Sequence, residues 1–348
     1  MHIREEFSRE NLIKGVRLAM SISLGISAVI IFFTIDLEAL EQIFNYVDYN
    51  TIIILMVLTV LNWLAASLTL KILALAVKEK LSIWAGLKVY LAGAFASRVT
   101  PFATGGGPFR VYFLTKNGVD VAKASSIVIV QFVYRMMLLG IMSIFFFAFF
   151  RGYISSGLIP FYVFIMVILF GASISVGIVL FSFVPNVAEN IFNKVLHIPV
   201  INSIFRRSIR AKRYLVRAKY GMRRFRNSLR VLSDRPLHLI LALISAFMFW
   251  SLLFFIIPVM LSGMGLEANF MRAYIMQTLI YLVLPFLPTP GASGIAELGV
   301  ASLFAAFIPG NYVGIVVFGW RFFTFYILLL PGGLLCMREI NKGEKIVG

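Results

Sequence analysis

The chain has 348 residues, 60% of them hydrophobic and 14% charged, with a mean hydropathy of +0.93, more apolar surface than a soluble core of that length can hide. A soluble enzyme, a disordered chain and a disulfide-framed secreted domain are excluded, the last because Cys336 has no second cysteine to pair with. The net charge of +17 is read as basic residues held against an anionic cytoplasmic leaflet, so the membrane and not nucleic acid is the expected partner.

A membrane helix needs roughly 20 mainly apolar residues. The first such stretch, 12–35, is too long for a cleavable signal and runs into Asp36 and Glu38 without a small-residue cleavage site. The loop 36–49 carries Asp36, Glu38, Glu41 and Asp48 and no base, which places it outside. It has no Asp-x-Asp pair, so a solvated loop is favoured over a cation site. A second span covers 50–77, and Lys71, Lys78 and Lys80 hold its end inside.

Residues 82–118 are apolar yet interrupted by Thr100-Pro101-Phe102-Ala103-Thr104-Gly105-Gly106-Gly107-Pro108. Proline removes a backbone donor and the glycines permit non-helical dihedrals, so no helix is expected to run through. A full span at 121–150 follows, with Arg135 near its middle, and another at 158–184. The connection 185–236 holds thirteen Lys and Arg against Glu189 and Asp234, and is cytoplasmic on that count. Within it, Phe205 to Leu232 shows the periodicity of an interfacial amphipathic helix, either a topogenic anchor or a device that gathers anionic lipid.

After a span at 237–262, the apolar stretch 270–309 is broken by Pro288-Thr289-Pro290-Gly291-Ala292-Ser293-Gly294, and the last span, 311–336, carries Arg321. Both breaks read Thr-Pro-x-Ala-(Ser/Thr)-Gly. Arg135 lies 35 residues after Thr100 and Arg321 lies 32 after Thr289. Backbone freed at membrane depth must be buried in protein or line a wet cavity, so each region is expected to be a re-entrant helix-break-helix hairpin. The fold class is therefore an all-α polytopic membrane protein with about six full transmembrane helices and two such hairpins in an inverted repeat, the architecture of alternating-access transporters. Both termini are expected inside. One integral membrane domain covers 1–348: two N-terminal spans in 12–77, a first repeat in 82–184, the basic connection 185–236, and a second repeat in 237–336. Ordinary loops between short spans remain the alternative for the two breaks.

A mid-span arginine costs at least about 2.5 kcal/mol to insert, so Arg135 and Arg321 need partners. Glu297 is the one acid within an apolar stretch and cannot neutralise both. An anionic ligand is the expected complement, with carboxylate or helix-end carbonyl pairing as the structural alternative. The candidate binding set is Arg135, Arg321, Glu297, Thr100, Thr104, Gly105, Gly106, Gly107, Arg110, Thr289, Gly291, Ser293 and Gly294, with hairpin amides completing a cradle. His2, His197 and His238 have no metal-binding spacing, the glycine run lacks a phosphate-loop ending, and no serine sits in a nucleophile elbow. No cofactor, metal or catalytic residue is expected.

Thr100 to Leu114, Pro288 to Glu297, Arg321 and Pro331-Gly332-Gly333 together resemble the lysylphosphatidylglycerol synthase transmembrane-region family, also called the flippase-like domain family. The resemblance implies a membrane domain that moves a phospholipid or lipid-linked anionic headgroup between leaflets of the cell membrane. Some relatives join this domain to an aminoacyl-transferase, but few residues follow the last span here, so lipid aminoacylation is not expected of this chain. Family members commonly show Gly-Gly-Glu-Pro where this chain has Gly105-Gly106-Gly107-Pro108, and Glu-Arg where it has Tyr134-Arg135. An integral-membrane transferase with Glu297 as base and a partner-dependent scaffold are the competing functional classes, and homo-oligomerisation is left open.

Overall fold

A computed structural model of the chain describes residues 47–150 and 234–344, together with 169, 173 and 227–232. The expected spans 12–35 and 158–184, the acidic loop 36–49 and the basic connection 185–236 lie wholly or largely outside the described residues. In chain order the helices are α1 (Tyr49–Ala76), α2 (Ile83–Val99), α3 (Gly106–Lys116), α4 (Val121–Phe149), α5 (Pro236–Phe254), α6 (Ile256–Gly263), α7 (Phe270–Val283), α8 (Ile295–Phe304), α9 (Gly310–Arg321) and α10 (Ile327–Glu344). No strand occurs among the described residues.

Four segments are long and apolar enough to cross a membrane: Tyr49–Ala76, Val121–Phe146, Pro236–Gly263 and Gly310–Glu339. They coincide with the spans expected at 50–77, 121–150, 237–262 and 311–336. The chain is a multi-pass membrane protein. Short polar side chains set several helix starts: Ser82 accepts from the Ala85 amide at 3.1 Å, Asp120 from Ala122 at 3.0 Å and Asn269 from Arg272 at 3.0 Å.

Since lipid tails are as apolar as leucine, hydrophobicity alone does not drive these helices together, and small residues and buried hydrogen bonds do the joining. Asn62 on α1 donates to the Phe249 carbonyl of α5 at 2.7 Å, and Thr69 meets Ser245 at 3.0 Å. Gln131 on α4 reaches the Ala66 carbonyl at 3.3 Å. Gly332 brings α10 against α2 so closely that a Cβ there would sit 2.7 Å from the Phe95 Cβ. The outward faces of α1 and α5, with Ile53, Val57, Val60, Ile240, Ile244 and Phe247 exposed, present apolar side chains to lipid.

The two interrupted stretches are hairpins. In the first, Gly106 of α3 packs against Gly93 and Ser97 of α2, and Gly93 against Arg110, the running order of antiparallel arms. In the second, α7 packs on α8, with the Arg272 guanidinium 4.7 Å from the Phe307 ring. Pro101 and Pro290 each open a single 3-10 turn after an extended threonine, Thr100 at ψ 142° and Thr289 at ψ 142°. The next two residues are left-handed in both turns: Phe102 and Ala103 at φ 54° and 52°, Gly291 and Ala292 at φ 60° and 55°. Left-handed backbone costs a non-glycine residue about 1 to 2 kcal/mol, so this shared distortion is a specific feature of the repeated motif.

The two tips meet. The Phe102 amide donates to the Leu287 carbonyl at 3.1 Å, and Gly291 lies so near the Arg98 carbonyl that a Cβ would be 2.8 Å from it. The offset that superimposes Thr100 on Thr289 also carries Phe102 onto Gly291 and Arg98 onto Leu287. Equivalent residues thus contact each other reciprocally across a local two-fold, the signature of an isologous contact.

Candidate functional site

Beside the crossed tips, α1, α2, α3, α4 and α5 enclose a cavity of about 360 Å³ whose lining includes Arg98, Arg110 and Arg135 with Asn62, Tyr90 and Trp250. Among the described residues no carboxylate lines it. Arg135 is 8% exposed. Its guanidinium carbon lies 3.9 Å from the Phe249 ring centroid and 5.6 Å from that of Tyr90, so aromatic faces cover the cation while its Nε and Nη2 donors have no hydrogen-bond partner among the described residues. The α4 backbone is pinned at this residue, because Trp250 Nε1 donates to the Arg135 carbonyl at 3.1 Å.

Arg110 reaches the cavity across Gly93, where a Cβ would come within 2.8 Å of its Nε, and that Nε also lacks a partner. Arg98 donates from Nη1 to the Ala94 carbonyl at 3.1 Å and from Nη2 to the Thr324 carbonyl at 2.7 Å. Thr324 belongs to a π-helical turn, Phe322–Tyr326, that interrupts the last span immediately after Arg321. Such turns alter which carbonyls the helix itself uses.

An adjoining cavity of about 190 Å³ is lined by Arg98, Thr289, Gly291 and Arg321, and shares Ser97, Ala103, Tyr281, Pro285 and Thr324 with the larger one. Arg321 is 4% exposed, and its charge is already met. Its Nε is 2.7 Å from Glu297 Oε1, a charge contact in which the N–H is not aligned on the oxygen. Its Nη1 donates to the Gly291 carbonyl at 3.2 Å. Glu297 Oε2 in turn accepts from the Gly294 amide at 2.8 Å, so one carboxylate caps α8 and holds Arg321.

The two arginines singled out from the sequence therefore sit in neighbouring compartments, not in one, and Arg98 stands between them. The expected cradle of hairpin amides is corrected in its details. Thr104 N–H is taken by the Pro101 carbonyl, Ala292 N–H by Thr289 and Ser293 N–H by Pro290. Gly105 N–H donates to Thr100 Oγ1 at 2.9 Å. Gly106 and Gly107 lie inside α3, because the first break ends at Gly105. Gly107 lines the larger cavity and has open space where a Cβ would be. Thr289 Oγ1 is buried against the smaller cavity without a partner among the described residues. Arg98 was missed from sequence, although a third arginine two residues before the Thr-Pro break was the available signal.

The described geometry accords with the family comparison: the lysylphosphatidylglycerol synthase TM region matches residues 20–332. The chain belongs to this family. It is also similar to a protein named UPF0104 membrane protein from Archaeoglobus fulgidus, at 26% identity over 343 residues, which cover 94% of this chain and 98% of that protein. No solved structure matches the chain. As a multi-pass member of the family, the chain has membrane lipid as its immediate surroundings, and the arginine-lined cavities lie between its packed apolar helices.

Proposed function

We propose that this membrane domain is a lipid translocase in which an anionic headgroup passes through the cavities beside the crossed hairpin tips while the acyl tails remain in the bilayer. The observation that carries the reading is Arg135, buried and ring-stacked, with two donors unpaired and no carboxylate in its cavity among the described residues. A charge so placed is costly unless something complements it. Arginine's planar fork suits the two oxygens of a phosphate.

The arms α3, α7 and α8 have 11, 14 and 10 residues, which at 1.5 Å per residue are too short for a hydrocarbon core of about 30 Å. In this reading the hairpins are re-entrant, their tips meet near the midplane, and the local two-fold is the in-plane axis of an inverted repeat. Alternating access then consists of rocking one hairpin against the other around Arg98. The protein is assigned to the cell membrane with both termini cytoplasmic. Reconstitution of the full chain into vesicles with labelled phosphatidylglycerol tests the proposal. Leaflet exchange that falls at least about tenfold in Arg135→Gln, with no covalent product, is the expected result. A chemically modified lipid, or exchange equal to that of protein-free vesicles, overturns it.

A further inference from the structure

The charges of the two cavities differ, and the difference selects a headgroup class. We infer that the larger cavity is a site for a phosphomonoester lipid headgroup, a terminal phosphate carrying two negative charges, in preference to the single charge of a phosphodiester or to a zwitterion. This rests on the translocase reading for the lipid source and goes beyond it in the substrate class.

Three guanidinium groups, Arg98, Arg110 and Arg135, line the larger cavity, and among the described residues no aspartate, glutamate or histidine does. Glu297 does not neutralise them, since its two oxygens are engaged by Arg321 and the Gly294 amide around the neighbouring compartment. Donors without a partner among the described residues are present on two of the three: Nε of Arg110, and Nε and Nη2 of Arg135. Arg135 is more than nine-tenths buried. Arg98 spends two donors on carbonyls, which fixes its position without removing its charge.

A phosphodiester offers two non-ester oxygens and one charge, which two arginines satisfy. A phosphomonoester offers three oxygens and, above its second ionisation near pH ~6, close to two charges. Three arginines without an acid match the second in charge and in oxygen count. An ammonium-bearing headgroup would bring a fourth positive charge into a space with no carboxylate to receive it. Among the described residues, the titratable groups facing the cavity are these arginines with Tyr90 and Tyr281.

The test uses purified full-length protein in nanodiscs and measures binding of phosphatidic acid, phosphatidylglycerol and phosphatidylcholine with identical acyl chains. Glycerol 3-phosphate and inorganic phosphate serve as soluble competitors. The expected result is at least tenfold tighter binding of phosphatidic acid than of phosphatidylglycerol at pH 7.5. That preference should be largely lost at pH 5, where the monoester keeps one charge. Arg135→Gln should bring the two anionic lipids together. Should that variant not fold, Arg110→Gln provides the same comparison from an adjacent helix.

Equal affinities for the two anionic lipids, or a preference that ignores pH, overturns the inference. Soluble phosphates that compete at the affinity of the lipid reassign the site to a free phosphate and overturn its lipid source. The two proposals fail separately. Phosphatidylglycerol bound as tightly as phosphatidic acid and exchanged as fast removes the headgroup class and leaves translocation. Selective phosphatidic acid binding without leaflet exchange removes translocation and leaves the headgroup class.

Discussion

The two hairpins begin alike and end differently. Thr100 and Thr289 are both extended, the next-but-one residue and Ala are left-handed in both, and the hydrogen bonds from Ala103 to Thr100 and from Ala292 to Thr289 correspond. The paths part at the fifth residue. Thr104 is helical at ψ -28°, whereas Ser293 is extended at ψ 141° and Gly294 turns to φ 86°. The first hairpin therefore re-enters a helix at once, while the second unwinds one step further and presents the Gly294 amide to Glu297. Two non-helical residues, Ser293 and Gly294, let the second hairpin hold its own acid, and the Arg321–Glu297 pair is neutral in sum. The first has none, and Arg98, Arg110 and Arg135 keep their charge. A shared motif thus builds the crossing point, and the residues just after it decide which side attracts an anion.

The largest effect is expected from making the first hairpin resemble the second. Gly107→Glu introduces a carboxylate where a Cβ meets nothing within 4 Å, so the protein should fold normally. The new acid faces the three arginines and should reduce anionic-lipid binding at least about tenfold, checked by nanodisc titration. Unchanged binding would show that the larger cavity is not the anion site.

Next in size is the reverse change. Glu297→Gln leaves Arg321 without its counter-charge and should destabilise the protein by about 1 to 2 kcal/mol, discounted because the carboxylate is 26% exposed. The thermal midpoint in detergent measures this. The double variant with Arg321→Gln should recover part of the loss, since the cost lies in the unpaired charge. A double variant less stable than the sum of the singles would place the stabilisation elsewhere.

A third difference separates the two tips. Gly291→Ala forces a Cβ to 2.8 Å from the Arg98 carbonyl at a φ of 60°, at a cost of about 1 to 3 kcal/mol. Phe102→Gly at the equivalent position removes a 53% exposed ring from left-handed backbone. It should change stability by no more than about 1 kcal/mol. Equal sensitivity at the two positions would contradict the close approach of Gly291 to the Arg98 carbonyl.

Hydropathy over local windows was sufficient for the four described spans and both breaks, because membrane thickness and proline act within a single segment. The Thr-Pro-x-Ala repeat was legible for the same reason, and it proved to be a repeat of backbone angles. Partnerships were not legible. That Glu297 holds Arg321 while Arg135 lies against Phe249, or that Arg98 reaches Thr324 across 226 positions of sequence, depends on which helix faces pack, and apolar faces in lipid carry little information about their neighbours.

The amino-acid sequence by itself determined the solvent of this protein, its all-helical class, the positions of its breaks and the presence of more buried positive charge than negative. Composition, length and proline chemistry act locally and need no knowledge of the fold. Only the tertiary structure decided where that imbalance resides. It places two hairpin tips across one another, spends Glu297 on one side, and leaves three arginines around a cavity on the other. Charge balance is a property of neighbours in space, and those neighbours come from α2, α3, α4 and α8, which the chain order keeps apart.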